Sequence, residues 1–400
     1  MTSLWKNSYL LLWLIMVCLT HSTFAQEKEA STFSPNISYG SKGFEFKSGN
    51  DLFSLQFQSR LQFRFATPRD QDPLSFDDFR EVPQVVFKIN RARLKVGGHA
   101  YKSWLKYYWE YELARGNLLD FRIMIEKWDF FRVKVGQWKT YYTRERVISS
   151  GKQQMVDRSI VNRPFTLDRQ QGVEISGRVE TIVDFSYYLS VLTGTGRAVL
   201  ENDDRNLMYV GRLQWNIFGK EVDMSGSDIP VHESPAGIIA LGAATNQSRY
   251  TRFSSAGGGQ LEGFESGEAG QYKLKQYLVE TAFKWKGFSW QHETHWKRID
   301  DRLNGTVSDL EGSYFQAGYF FGNIWDWFPM PLELAGRFAY YRPIYLRGED
   351  KQDEYGLAFN WFFVEHRNKL TAECSYFKIS ENEFDEVGGA RFRVQWEISF

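Results

Sequence analysis

The sequence predicts an all-β fold, a transmembrane antiparallel β-barrel of about 16 strands. Three observations predict it. Arg391–Phe400 alternates strictly, with Phe392, Val394, Trp396, Ile398 and Phe400 on one face of an extended chain and Arg391, Arg393, Gln395, Glu397 and Ser399 on the other. Aromatic residues make up 17% of the chain, more than a soluble core needs and what two interfacial girdles use. Finally, long polar connections alternate with tight ones along the chain, as they do between the two rims of a barrel. A soluble β-sandwich, the competing fold, has no reason to alternate its loop lengths.

Taken in order, the chain opens with Lys6, an apolar run from Tyr9 to Thr20, and Thr23-Phe24-Ala25 before Gln26. This is the pattern of a secretory signal peptide over 1–25, cleaved near Ala25. A lipoprotein signal using Cys18 is the rival, but Val17 stands where that signal requires a small residue. Without residues 1–25 the chain holds 48 basic and 49 acidic residues, so its global charge names no partner. No Lys/Arg run points to nucleic acid. The one remaining cysteine, Cys374, excludes an intramolecular disulfide and reads as a small apolar side chain. Mean hydropathy is −0.45, and no segment after residue 25 has the 18 or so apolar residues of a helical span.

Residues 26–50 are polar, punctuated by Pro and Gly, and read as a periplasmic lead-in with a short strand at Phe44–Phe46. The barrel is expected over 51–400. In Asp51–Phe65, Phe53, Leu55, Phe57, Leu61, Phe63 and Phe65 share one face, and Arg60 and Arg64 lie on the other. Similar stretches follow at 84–100, 101–114, 119–128, 130–138, 172–180, 182–193, 207–217, 236–246, 272–286, 287–298, 313–321, 332–342, 355–364, 368–378 and 389–400. The even total suits a single-chain bacterial barrel. With the first strand running outward, seven of the eight external connections are long, polar or Gly-rich. The opposite joins are mostly tight, as at Gly97-Gly98 and Lys286-Gly287; the join at 218–235, with Pro230 and Pro235, is an exception. Gly257-Gly258-Gly259 falls in an external loop and reads as flexibility. In the last strand Trp396, Ile398 and Phe400 form an aromatic C-terminal signature, expected to be read by the outer-membrane assembly machinery and to place the chain in the bacterial outer membrane.

Leu55–Phe63, Asn90–Val96, Phe131–Lys139 and Arg169–Gly177 together resemble the phosphate-selective porin O/P family. The similarity covers most of the chain and is strongest over 50–180. It implies a sixteen-stranded porin, usually trimeric, whose third external loop folds into the lumen, and it points to phosphate or polyphosphate as possible solutes.

A diffusion pore selects by width and by the charges at its constriction. Alternation turns Arg60, Arg64, Arg91, Arg93, Lys95, Arg391 and Arg393 toward water. Closure of the last strand on the first gathers these seven into one sector. An Arg or Lys on the lipid face would cost about 2–4 kcal/mol at the midplane, which favours the inward placement. Arg132 and Lys134 point the same way on the strand leading to the connection at 139–171. That connection carries Lys139, Arg144, Arg146, Lys152, Arg158, Arg163 and Arg169 against Glu145, Asp157 and Asp168, a balance of +4. Arginine forks suit phosphate and carboxylate oxygens. The expected function is passive diffusion of small hydrophilic solutes with anion preference, phosphate among them. The alternatives are a weakly selective lumen, with Glu110, Glu112, Asp120 and Glu126 pairing the arginines, or a plugged structural, adhesive or enzymatic barrel. His292 and His295 fall on opposite faces of a strand and cannot share a metal. No nucleophile elbow or phosphate-cradling loop is present, and no cofactor is implied.

Overall fold

Side-chain alternation sets the wall, because each strand offers one face to lipid and one to the interior. The computed structural model describes residues 36–40, 42–197, 199, 201–344, 351–381 and 385–400. The expected leader, 1–25, with Lys6 and Cys18, lies outside the described residues. β1 (Asn36–Gly40) and β2 (Gly43–Lys47) form a hairpin. They are followed by β3 (Phe53–Thr67), β4 (Val86–Ala100), β5 (Lys102–Glu112), β6 (Asn117–Trp128), β7 (Phe131–Lys139), β8 (Arg169–Glu180), β9 (Asp184–Leu192), β10 (Met208–Asn216) and β11 (Ala236–Ser248). A small external hairpin, β12 (Arg252–Ser254) with β13 (Gly257–Gly259), precedes β14 (Tyr272–Trp285), β15 (Phe288–Asp301), β16 (Thr306–Tyr319), β17 (Leu332–Ile344), β18 (Lys351–Val364), β19 (Asn368–Glu381) and β20 (Asp385–Ser399).

Apart from the β1–β2 and β12–β13 hairpins, successive strands pair antiparallel, and β20 closes on β3 with Trp396 opposite Phe63 and Ser399 opposite Arg60. The result is a closed barrel of sixteen strands. Phe63 and Trp396 stack across the seam at 5.8 Å. On β3, Phe53, Leu55 and Phe57 are exposed on the outer face, whereas Ser54, Arg60, Gln62 and Arg64 are buried inside. β2 pairs with the lower part of β3, Phe44 opposite Phe57, and so lengthens the wall beneath the end of β20. The wall therefore begins before residue 51, at Asn36.

Two local expectations are corrected, and one exception is explained. Gly97 and Gly98 lie within β4, and the turn to β5 is made by Tyr101 at φ 64°. Gly98 is in the strand because a Cβ there would lie 2.0 Å from the Ser54 carbonyl oxygen. Gly257–Gly259 is not a flexible run but the second strand of a hairpin, and a Cβ on Gly258 would meet the Tyr250 ring at 2.4 Å. The β10–β11 join is long because it is folded into the barrel rather than left at the rim.

Candidate functional site

The interior is built from charged and polar residues on the wall and from connections that fold between them. On β3 and β4, Arg60 stands directly opposite Arg93, a like-charge pair that would destabilise the ladder if left alone. The two side chains diverge. Arg93 reaches Glu110 at 2.7 Å and Glu112 at 2.8 Å on β5. Arg60 turns instead to Ser149 Oγ at 2.7 Å and Ser150 Oγ at 2.8 Å in the connection between β7 and β8. A bulge sets two β4 residues, Asn90 and Arg91, against Gln62, so both enter the interior. Arg91 then donates to Gln62 Oε1 at 2.8 Å.

The β7–β8 connection, residues 140–168, crosses the lumen. A helical turn at Arg144–Val147 starts it, capped by Thr143 Oγ1, which accepts from the Arg146 N–H. Its backbone amides at Glu145, Val156 and Ile160 donate to the inward carboxylates Glu293, Glu373 and Glu354 at 2.7–2.9 Å. Gln154 donates to Ser289 and Glu333, each at 2.7 Å, and Lys297 and Lys369 donate to the carbonyls of Pro164 and Gln153. These partners lie on β15, β17, β18 and β19. Apolar residues of the same segment, among them Tyr142, Val161 and Phe165, pack on Leu274, Leu278, Ile299, Leu310 and Tyr314 of the facing wall. The segment is thus fixed to the β14–β19 side by apolar contact and buried hydrogen bonds.

A second insertion meets it from the opposite rim. In the β10–β11 join, Lys284 Nζ donates to Asp223 Oδ1 and Ser225 Oγ, both at 2.6 Å, and Ser227 Oγ donates to Glu333 at 2.8 Å. Gly226 N donates to the Lys152 carbonyl at 2.7 Å, and Arg144 donates to the carbonyls of Val222 and Asp223. The sequence marked this join only by its length and prolines. Its small polar residues are what allow it to pack inside.

Two openings lie on the β3–β7 side. A vestibule of about 680 Å³ faces the rim that carries the short joins and is lined by residues including Arg60, Lys95, His99, Lys152 and Glu397. Beyond Ser149 and Ser150 lies a crevice of about 40 Å³. Its charged lining is Arg91, Arg93, Arg115, Lys139, Arg146, Arg158 and Arg169 against one carboxylate, Glu112.

The predicted basic residues divide three ways. Arg64 is neutralised by Asp70 at 3.0 Å and Asp157 at 2.6 Å, Arg169 by Asp120 at 2.6 Å, and Arg146 by Asp168. Arg391 binds Asp72 at 2.7 Å, Arg393 binds Glu373 and Asp157, and Lys134 binds Glu174 at 2.5 Å. A second group lies away from the crevice. Arg132 sits at the rim with Asp129, Arg163 pairs with Glu262, and Arg144 belongs to the contact between the two insertions. In the third group, among the described residues, Arg60, Lys95, Lys139 and Arg158 have no carboxylate within 4 Å, and Arg91 lies 3.5 Å from Asp157. Burial alone would raise the Asp157 carboxyl, but Arg64, Arg393 and Arg91 hold it well below its usual range. Besides Glu174 and Glu373 on the wall, the partners not anticipated are Asp70 and Asp72, together with Asp157, which in the sequence counts only toward the charge of its own connection. The three aspartates sit in connections, where alternation gives no direction. His292 and His295 do lie on opposite faces, His292 outward against Phe315 and His295 buried inside.

The closed sixteen-stranded wall, its lipid-facing aromatics and its charged interior define an outer-membrane porin. Solved porins share the fold. A trimer form of OmpT, an outer membrane protein of Vibrio cholerae, matches with a TM-score of 0.57 at 11% identity over 88% of this chain and 100% of its own. The outer membrane channel DcaP of Acinetobacter baumannii gives 0.56 at 10% identity over 89% and 99%. An anion-selective porin from Comamonas acidovorans gives 0.55 at 10% identity over 87% and 100%. No curated protein sequence matches. Residues 70–383 match the family model of the phosphate-selective porins O and P, and the chain belongs to that family.

Proposed function

We propose that this porin conducts small anions in preference to cations, along a path from the vestibule through the crevice beside β4, with phosphate among its solutes. The crevice lining carries the proposal, with seven basic side chains against Glu112. Among the described residues, Arg115, Lys139 and Arg158 have no carboxylate within 4 Å, so their field reaches the solute. A narrow, low-dielectric passage concentrates that field and with it the counter-ion. The arginine forks fit the oxygens of phosphate, and the family to which the chain belongs is named for that selectivity. Reversal potentials across planar bilayers under a KCl gradient test the preference; a cation-selective sign refutes it. Phosphate is tested by block of chloride current, which should occur at phosphate concentrations where sulfate has less effect.

The apolar packing of residues 140–168 against β14–β19 favours a second reading, a barrel closed at rest. Absence of any conductance from purified, folded protein would establish it over the first. We further propose a homotrimer, the form taken by the structurally similar OmpT of Vibrio cholerae, to be checked by the mass of the detergent-solubilised complex.

A further inference from the structure

We propose that the outer face of β11 and β14 carries a specific site for one molecule of the phosphorylated glycolipid of the outer leaflet, with Lys273 and Lys275 holding a phosphate and a groove beneath them holding an acyl chain. The lysines are the starting observation. On β14 they stand on the lipid-facing side, with Tyr277 following them on the same face. Among the described residues no carboxylate lies within 4 Å of either ammonium. Two other outward basic residues at this rim are compensated, Arg298 by Asp300 at 3.2 Å and Asp309 at 3.8 Å, and Lys378 by Glu386 at 2.5 Å, while Arg342 lies over the Tyr340 ring. Asp300, which lies opposite Lys273 across the ladder, is directed to Arg298.

Their height on the wall fits a headgroup. β14 begins at the external rim, since the connection before it follows an outgoing strand. From Tyr277 down to Trp285 is eight residues, about 27 Å along the strand and about 20 Å along the membrane normal at a 40° tilt, close to the apolar band of such barrels. Lys275 is one outward position above that band. A charge there costs little in itself. Two uncompensated ammonium groups one pleat apart on one face would bind a phosphate as point charges.

The surface below is concave. Gly211, Ala243 and Tyr277 lie side by side on β10, β11 and β14, and the two small residues leave a hollow of about 680 Å³ that also touches Lys273 and Lys275. A second hollow of about 530 Å³ shares Leu189, Gly211, Ala243 and Tyr277 and continues it down the wall toward Leu213 and Val279. The pair forms one apolar groove that runs inward from the lysines. A basic head site joined to an apolar groove at this depth fits a phosphorylated lipid whose chains point into the bilayer, rather than a second copy of the same positively charged face.

Native mass spectrometry of the detergent-purified protein, titrated with bis-phosphorylated lipid A, tests this. One lipid A per chain should remain bound. Lys273→Gln with Lys275→Gln should weaken it about thirty-fold, or about 2 kcal/mol at ~1.4 kcal/mol per decade, following about 1 kcal/mol per lysine at a charged lipid surface. Ala243→Phe, which fills the groove and leaves the lysines in place, should weaken it independently. Both variants lie on the outer face, so unchanged conductance reports their folding. Equal binding by the lysine variant, equal binding of dephosphorylated lipid A, or full displacement by phosphatidylglycerol overturns the proposal.

Discussion

Replacing Lys95 by Gln isolates charge from architecture better than any other change in the conduit. Its ammonium donates to Gln58 at 3.2 Å and has no carboxylate within 4 Å among the described residues. An anion passing about 5 Å away gains about 0.8 kcal/mol even in a medium as polar as water, and about 3 kcal/mol at an effective dielectric near 20. Screening at 0.1 M salt, with a Debye length of about 10 Å, reduces the smaller value to about 0.5 kcal/mol. The cation is repelled by the same amount. Lys95→Gln should therefore lower the chloride-to-potassium permeability ratio at least about fivefold at 0.1 M, with much less effect at 1 M, where the Debye length is about 3 Å. The assay is the reversal potential in a tenfold KCl gradient, whose ceiling for a perfectly selective pore is about 59 mV. An unchanged potential at low salt would refute the placement of Lys95 on the conduction path. Arg93→Gln provides the contrast, because it leaves Glu110 and Glu112 without their arginine. Breaking such a buried pair costs about 3–5 kcal/mol, so its main effect should be lost thermal stability.

Gly226 meets the β7–β8 connection, and a Cβ there would lie 2.9 Å from Gln154 N, so Gly226→Val should wedge the two insertions apart and raise single-channel conductance; unchanged conductance would show that the contact does not limit the opening. Glu373→Gln removes the anion that holds Arg391, Arg393 and the Val156 amide, and should destabilise the barrel by about 3–5 kcal/mol, read as a lower temperature of heat-modified gel migration. Burial pushes the Glu145 carboxyl up to about 7 despite Arg337, and the neighbouring Glu293 adds to the rise. A raised carboxyl stabilises the folded state below its ordinary range and loses that contribution as pH climbs toward 7. Wild-type stability should then fall by about 1 kcal/mol per pH unit between 5.5 and 6.5, and Glu145→Gln should flatten the profile in a thermal melt.

The wall was legible because its determinant is local. A period of two assigns every strand residue to lipid or interior, so Arg60, Arg64, Arg93 and Arg393 could be placed without knowing their neighbours, and all four are buried inside. The same rule cannot anticipate a bulge, and Asn90 accordingly enters the lumen beside Arg91. Nor does it say where a connection goes. Asp70, Asp72 and Asp157 neutralise Arg64, Arg391 and Arg393 from loops 6 to 319 positions away along the chain, a distance set by tertiary packing rather than by pattern. The β10–β11 join shows the limit most plainly. Its length broke the alternation of long and short connections, which was a real signal, but only the contacts of Ser225, Gly226 and Ser227 reveal that it rises into the barrel.

Those contacts also explain how a chain with equal numbers of acidic and basic residues can hold a basic crevice. Several of the acids anchor the inserted segments instead of pairing with the bases near β3 and β4. On β15, β17, β18 and β19, Glu293, Glu333, Glu354 and Glu373 accept from backbone amides and side chains of the inserted segments. A carboxylate so engaged is satisfied in place and cannot swing across to a lysine on the far wall. The segment they hold presses its apolar residues against the same side and turns Lys139, Arg146 and Arg158 toward β4 and β6. Near β3 and β4, among the described residues, Arg60, Lys95 and Arg158 have no carboxylate within 4 Å. Selectivity in this barrel is then a consequence of how the insertion is anchored. Loosening Glu293 and Glu333, which anchor the insertions without an arginine partner, would free them to reach Lys139 and Arg158, and the anion preference would decline together with the anchoring.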